Sequence, residues 1–558
     1  MTRSESTDAT SGPSIIPAPL SRRLTGGVGA RFDDGCAIAC SPELAGVARW
    51  FRRTMERATG WGVDVVVPRT AGEPGIEDGP AAGAVAADAV RATVRLSVDD
   101  SLAREAYRLT AGDGRVAIAG GGPAGVFYGL QTLRQLMPAS MWRSAAVGGH
   151  PAAAFEVAGI ELEDRPGFSW RGVHLDVSRH FMPKSFVLRL IDLAAMHKCN
   201  VLHLHLTDDQ GWRMEIEKYP RLTEVGAWRR ESQVGRYSEG RLDGKPHGGF
   251  FTKDDLREIV GYAAERFVDV LPEIDMPGHM VAAIAAYPEL GNATEHREVM
   301  TKWGISTHVL NLEPATIEFC KDVLDEVVDV FPWRYVHTGG DECPVVEWKS
   351  SGAAQAMMKE EGFEEERQLQ GWFTARIAQH LAERRRVLVG WDEILDGGAP
   401  AGAVVMSWQA EQGGIAAASA GHDVVMAPMQ WLYFDWAHTA ERVEPIAICP
   451  ETSVERVYGY DPVPSAIPED RRQHVLGAQC QLWTEYVSDP QHAEYMYFPR
   501  LCAFAEVVWC GGRGIEREKF SLFEGRLRDH LDRLGALGVN YRPLDGPTPG
   551  QARIWRDG

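Results

Sequence analysis

The chain has 558 residues, 44 % of them hydrophobic and 24 % charged, a globular composition with length enough for two or three domains. Its formal net charge is −20 and no Lys/Arg cluster interrupts the acidic balance, which argues against nucleic acid or an anionic membrane as partner. No run of about 18 apolar residues occurs, so no membrane-spanning helix is predicted.

Residues 1–30 are rich in Ser, Thr, Pro and Gly and read as a disordered tail. They hold no apolar core of the secretory kind, so a cytoplasmic location is the default, short of a leader already removed. The nine cysteines are odd in number and scattered from Cys36 to Cys510, which reads as free, mostly buried thiols rather than a disulfide framework or zinc ribbon.

Residues 31–165 mix strand and helix patterns and form a predicted α+β domain. Val63–Val67 and Ala92–Val98 read as strands, and Tyr107–Thr110 and Val116–Ala119 flank the hairpin signal Gly112-Asp113-Gly114. Gly120-Gly121-Gly122-Pro123 precedes an apolar-periodic helix, but no Lys-Ser/Thr follows, so a tight turn is favoured over a phosphate cradle.

From residue 166 to 512 the rhythm becomes strand, loop, helix. Eight strands are predicted: Arg171–Val177, Val201–Thr207, Val268–Ile274, Tyr335–Thr338, Val387–Trp391, Ala403–Trp408, Asp423–Ala427 and His474–Trp483. Amphipathic helices at Lys184–His197, Lys253–Phe267, Ala315–Val330 and Glu365–Arg385 separate several of them. The predicted fold class is α/β, a (β/α)8 TIM barrel preceded by the small α+β domain. Residues 513–558 read as a helical extension packing on the barrel.

In such a barrel the site forms where the strands end. Those ends carry Asp176 and Arg179, Asp208, Asp275 and His279, Asp341-Glu342, Trp391, Trp408, Tyr433 and Asp435, and Trp483 and Glu485. The pair Asp341-Glu342 follows Gly339-Gly340, and two adjacent acids raise one another's pKa, which suits a general acid. Aromatic faces beside carboxylates and one Arg match a pyranose, whose C–H faces stack on rings while its hydroxyls donate to acids. The strand ends together read as a carbohydrate site.

His337-Thr338-Gly339-Gly340-Asp341-Glu342 resembles the signature of the family 20 glycoside hydrolases, the β-N-acetylhexosaminidases. Asp176–Phe181, His203–Arg213 and Pro272–His279 are similar to further family segments and run in the family's order, from about Arg165 to Trp509. The resemblance implies a retaining exo-enzyme that removes terminal β-linked N-acetylglucosamine or N-acetylgalactosamine from an oligosaccharide or glycoconjugate, with no metal or other cofactor. It implies substrate assistance: the sugar's 2-acetamido oxygen attacks the anomeric carbon and forms an oxazolinium-type intermediate. Glu342 is then the general acid and base, and Asp341 orients the acetamido N–H. Tyr433 donates to the acetamido oxygen, and Trp391, Trp408 and Trp483 wall the pocket. Arg179, Asp435 and Glu485 take the ring hydroxyls; Asp208, His279 and Asp275 support the two acids.

Two rival readings stand beside it. His203 and His205 share one strand face, and with Asp208, His279 and His337 they form a possible zinc set for a metal-dependent hydrolase, although a hydrogen-bonded core pair is favoured. A non-catalytic sugar-binding barrel is the other, disfavoured by the presence of both Asp341 and Glu342.

Overall fold

In a computed structural model of the chain, described for residues 12–27, 29–67, 93–148, 151–293, 295–440, 443–449, 451–511 and 520–554, all eight predicted barrel strands form and close into one parallel sheet. The chain divides into two units: Met1–Gly167 with Met196–Lys198 and Trp509–Tyr541, and Phe168–Ala195 with Cys199–Val508 and Arg542–Gly558.

The first unit is a seven-stranded sheet in the order Ser21–Leu24, Ile160–Asp164, Tyr107–Gly112, Arg115–Gly120, Val94–Val98, Ala37–Cys40, Asp64–Val66. Helices Ala45–Thr59 and Pro123–Leu136 pack on it through buried residues such as Trp50, Phe51, Phe127 and Leu130. Asp113 (φ 51°) and Gly114 (φ 78°) turn the predicted hairpin. The Gly-rich stretch is the tight turn expected, with Gly121 N–H donating to the Ala106 carbonyl.

Two expectations are corrected here. The tail predicted for residues 1–30 is ordered from residue 12: Ile15 and Ile16 are fully buried, Ile16 exchanges hydrogen bonds with the Gln135 side chain (2.9 and 2.7 Å), and Ser21–Leu24 pairs antiparallel with Ile160–Asp164. Two isoleucines and a strand outweigh the polar composition around them; residues 1–11 lie outside the described residues. Helix Phe520–Ala536, expected within an extension packing on the barrel, counts instead in the first unit. Its Arg526 and Arg533 donate to the carbonyls of Ile15, Ser14 and Gln135 at 2.7, 2.7 and 2.8 Å, which ties it there. Only the segment from Arg542 onward groups with the barrel, its Nε on Glu444 Oε1 at 2.8 Å.

The second unit is the barrel: β1 Trp170–Asp176, β2 Val201–His205, β3 Asp269–Glu273, β4 Tyr335–His337, β5 Val387–Trp391, β6 Val404–Ser407, β7 Val424–Met426 and β8 Val475–Cys480, which returns to β1 with Trp170 opposite Gly477. The predicted helices appear at Lys184–Met196, Lys253–Ala264, Pro314–Val330 and Arg367–Glu383. Side chains alternate along a strand, so every second residue points inward. Toward the strand starts the inward layer is apolar: Trp170, Val201, Leu271, Tyr335, Val389, Val404, Met406 and Val425. One pleat further on it becomes polar, with His174, His203, Glu273, His337 and Gln479, all fully buried. The barrel thus carries an apolar plug below and a polar floor above, and the site stands on that floor. The nine cysteines are thiols, seven of them buried, and among the described residues no helix is long and apolar enough to cross a membrane.

Candidate active site

β4 ends at His337 and the chain turns through Gly339 (φ 63°) and Gly340 (φ 95°) into Asp341 and Glu342. The turn is pinned on two sides: Gly340 N–H donates to Asp275 Oδ1 at 3.1 Å, and the Gln370 side-chain amide donates to the Gly340 carbonyl at 2.6 Å. Glu342 itself sits at φ 45°, a region that L-residues avoid, so the surrounding bonds hold this carboxylate in a strained backbone.

The Asp341 side chain is 13 % exposed and that of Glu342 34 %, which leaves Glu342 the more accessible of the two. Both face His279 Nε2, at 3.6 and 3.7 Å, so the two acids share one side of the pocket. Burial raises the Glu342 carboxyl above its ordinary pKa, against the pull of His279 and Arg179. Burial, with Asp275 adding to it, holds Asp341 well above the usual range. Burial alone would lower His279, but Asp208 and Asp341 outweigh it and raise the ring well above its ordinary value. Its Nδ1 lies 3.3 Å from Asp208 Oδ1.

At the end of β1, Asp176 Oδ1 caps the turn by accepting from Ser178 N–H (2.7 Å) and Arg179 N–H (3.1 Å). The Arg179 guanidinium then meets Asp176 Oδ2 at 3.2 Å, Asp208 Oδ2 at 2.8 Å and Gln210 Oε1 at 3.1 Å, with its carbon 5.0 Å from the Trp483 ring centre. Such a three-way fork is a task for Arg and not Lys. Glu485 and Asp435 are both pushed up by burial, with Arg179 opposing at Glu485, and Asp435 Oδ1 is buried with no protein partner.

The aromatic residues come together as predicted. Trp408 stacks near Tyr433 at 6.1 Å and 20°, Tyr433 lies 6.3 Å from Trp483, and Trp391 lies 5.8 Å from Trp483. Trp391 is only 1 % exposed and forms the floor rather than an open wall, its Nε1 donating to Glu273 Oε1 at 2.9 Å. Trp408 Nε1 donates to Glu393 Oε2 at 2.9 Å, and Gln409 takes the other oxygen at 2.7 Å.

Every residue singled out from the sequence therefore lies at or beneath the C-terminal mouth of the barrel. Three contributors were missed: Glu273, His205 as a partner of the acids, and Glu393. The available signal was alternation, since Glu273 shares its strand face with Asp275, and His205 its own with His203.

Two histidines of the zinc set, His205 and His337, are engaged in ways that do not suit a metal ligand, and His174 beside them is held like His337. His174 Nδ1 accepts the Leu482 N–H (3.3 Å) and His337 Nδ1 accepts the Gly339 N–H (3.0 Å), so in the neutral rings the proton sits on Nε2. A metal-bound His needs the reverse, donating its second N–H to an acceptor while the ligating nitrogen is bare. His205 has both ring nitrogens committed to carboxylates.

Residues 168–511 match the model of the glycosyl hydrolase family 20 catalytic domain, and residues 12–165 match domain 2 of the same family. The chain belongs to glycosyl hydrolase family 20. It is 41 % identical over 452 residues to a β-hexosaminidase of Porphyromonas gingivalis, covering 80 % of this chain and 56 % of that protein. Another, of Vibrio furnissii, is 40 % identical over 351 residues, covering 62 % of this chain and 57 % of that protein. The chain thus spans little more than half the length of these two curated relatives. Among solved structures, a family 20 exo-β-N-acetylglucosaminidase of Vibrio harveyi in complex with N-acetylglucosamine is similar with a TM-score of 0.81 at 30 % identity, covering 97 % of this chain and 80 % of that one. A family 20 β-N-acetylhexosaminidase of Streptomyces coelicolor aligns with a TM-score of 0.78 at 31 % identity, covering 96 % and 98 %. These matches agree with the barrel and the preceding domain found here.

Proposed function

We propose that this family 20 chain is a retaining exo-β-N-acetylhexosaminidase that releases terminal N-acetylglucosamine or N-acetylgalactosamine by substrate assistance. The observation that carries the reading is the placement of Asp341 and Glu342 on one side of the pocket, around a shared His279. A protein nucleophile has to face the acid across the scissile bond, with the carboxyl groups about 5–5.5 Å apart on opposite faces. Neighbours on one turn serve another scheme, in which one acid handles the leaving oxygen and the other handles the substrate's own nucleophile.

In that scheme the Glu342 proton passes to the glycosidic oxygen as the acetamido oxygen bonds to the anomeric carbon. Asp341 accepts the acetamido N–H and offsets the positive charge on the oxazolinium. Water then attacks the anomeric carbon, and the Glu342 carboxylate takes its proton. The tyrosine hydroxyl of Tyr433 donates to the acetamido oxygen, and the floor and walls of Trp391, Trp408 and Trp483 keep water from the intermediate. Arg179, Asp435 and Glu485 bind the ring hydroxyls. The names of the relatives support the hexosamine.

The test is the anomer first released. Proton NMR on fresh enzyme and an aryl β-N-acetylglucosaminide should show β-N-acetylglucosamine before mutarotation. Release of the α-anomer would mean inversion by direct water attack and would overturn the reading.

A further inference from the structure

We propose that His205 is a fixed imidazolium, clamped between Glu273 and Asp208, and that this buried cation positions Arg179 and His279 through Asp208. His205 ends β2 and Glu273 ends β3, and parallel register sets them side by side. Nδ1 of His205 lies 2.6 Å from Glu273 Oε2, and Nε2 lies 2.9 Å from Asp208 Oδ2. A neutral imidazole has one N–H and one lone pair, so one of these short contacts would set a lone pair against a carboxylate. Only the imidazolium donates to both.

The other contacts of the two acids suit ionised carboxylates. Asp208 Oδ2 also takes Arg179 Nη2 at 2.8 Å, and Oδ1 accepts the Asp209 N–H at 2.6 Å. Glu273 Oε1 accepts Trp391 Nε1–H at 2.9 Å. The competing arrangement is a neutral Glu273 donating to His337 Nδ1, which lies 2.9 Å from Oε1. That nitrogen already accepts the Gly339 N–H, and its contact with Glu273 is near in distance without hydrogen-bond geometry. The groups facing His205 are Glu273, Asp208 and Asp275, with His203, His174 and, through Asp208, Arg179. Burial alone would lower the ring's pKa, but Glu273 and Asp208 outweigh it and hold it at about 10.

The arrangement has a consequence for binding. Asp208 is the hinge: one oxygen is shared by His205 and Arg179, the other lies 3.3 Å from His279 Nδ1. A cation fixed behind Asp208 keeps that carboxylate ionised and in place, so that Arg179 presents its guanidinium to the sugar and His279 its far nitrogen to Asp341 and Glu342.

The positioning half rests on the hexosaminidase reading; the protonation half does not, and two measurements separate them. Neutron diffraction from crystals of the wild-type protein at pD 8 should show deuterium on both His205 nitrogens. A bare Nδ1 or Nε2, or a deuteron on Glu273, overturns the proposal whatever the enzyme's substrate. For Glu273→Gln, KM on an aryl β-N-acetylglucosaminide should rise about tenfold at pH 8 through Arg179, and kcat should fall with it, because His279 also rests on Asp208. The gap from wild type should narrow toward pH 5.5, where the ring takes up a proton without Glu273. A wild-type KM at pH 8, or a deficit that does not change with pH, leaves Glu273 with a packing role only and refutes the positioning half.

Discussion

Gly339→Ala is the perturbation whose effect is most directly fixed by geometry. A Cβ at Gly339 would lie 1.7 Å from Asp275 Oδ1, where real Cβ atoms keep at least 3.0 Å, so something must yield by about 1.3 Å. Asp275 is fully buried and that same oxygen accepts the Gly340 N–H, so the movement breaks the bond that pins the turn. Holding alanine at φ 63° costs about 1–2 kcal/mol. Leaving Asp275 and the Gly340 N–H unpaired costs about 1–3 kcal/mol more, for a loss of roughly 2–5 kcal/mol. Catalysis should fall further than stability implies, because a displacement of about 1 Å at reacting groups is worth on the order of 10²-fold. Gly362→Ala is the control: φ there is 73°, but nothing lies within 4 Å of the added carbon, so only the backbone term of about 1–2 kcal/mol applies. Urea unfolding and kcat on an aryl β-N-acetylglucosaminide measure the two effects. Equal destabilisation in both variants, with kcat at Gly339→Ala within threefold of wild type, would refute the reasoning.

Three further perturbations test the roles separately. Glu342→Gln should lower kcat about 10²–10⁴-fold on substrates with poor leaving groups and much less on activated aryl glycosides, the range of general acid catalysis. Because burial raises the Glu342 carboxyl, wild-type kcat/KM should fall as pH rises through that raised pKa, and the variant should lose this alkaline limb; an unchanged limb assigns the acid elsewhere. Arg179→Lys should raise KM about 10–100-fold, since an ammonium cannot reach Asp176, Asp208 and Gln210 in one plane; a KM within threefold of wild type would remove Arg179 from sugar binding. Asp275→Asn should stabilise the fold increasingly with pH. Burial raises the folded pKa of Asp275 above its unfolded value, so wild-type stability is full below the ordinary Asp range and declines as pH rises toward the folded pKa. The variant lacks that decline, and each 1 kcal/mol of difference would appear as about 1–1.5 °C in Tm for a unit of this size. A Tm difference that stays constant between pH 4 and 8 would contradict the assignment.

The barrel was legible because its strands are short apolar runs between loop residues, and Val387–Trp391 has the predicted bounds. The mouth was legible because acids and aromatics recur after those runs, as in Gly390-Trp391-Asp392-Glu393 and Leu482-Trp483-Thr484-Glu485. What stayed hidden depends on which strands are neighbours. His205 and Glu273 are 68 residues apart, and their contact exists only through the register of β2 on β3. No local pattern carries that information. The ordered segment from residue 12 escaped notice for a related reason: Ile15 and Ile16 look like isolated apolar residues until Gln135, 119 residues away from Ile16, supplies both of its hydrogen bonds. The helix Phe520–Ala536 was recognised as a helix but assigned to the barrel, since amphipathicity shows that a face is buried and not against what.

The most direct test of the account compares initial rates on an aryl β-N-acetylglucosaminide and the matching aryl β-glucoside, each with and without a thiazoline mimic of the oxazolinium. Substrate assistance predicts fast cleavage of the acetamido sugar alone, blocked by the mimic, because the plain glucoside lacks the nucleophile. Comparable rates on both sugars, indifferent to the mimic, would contradict it and require a protein nucleophile.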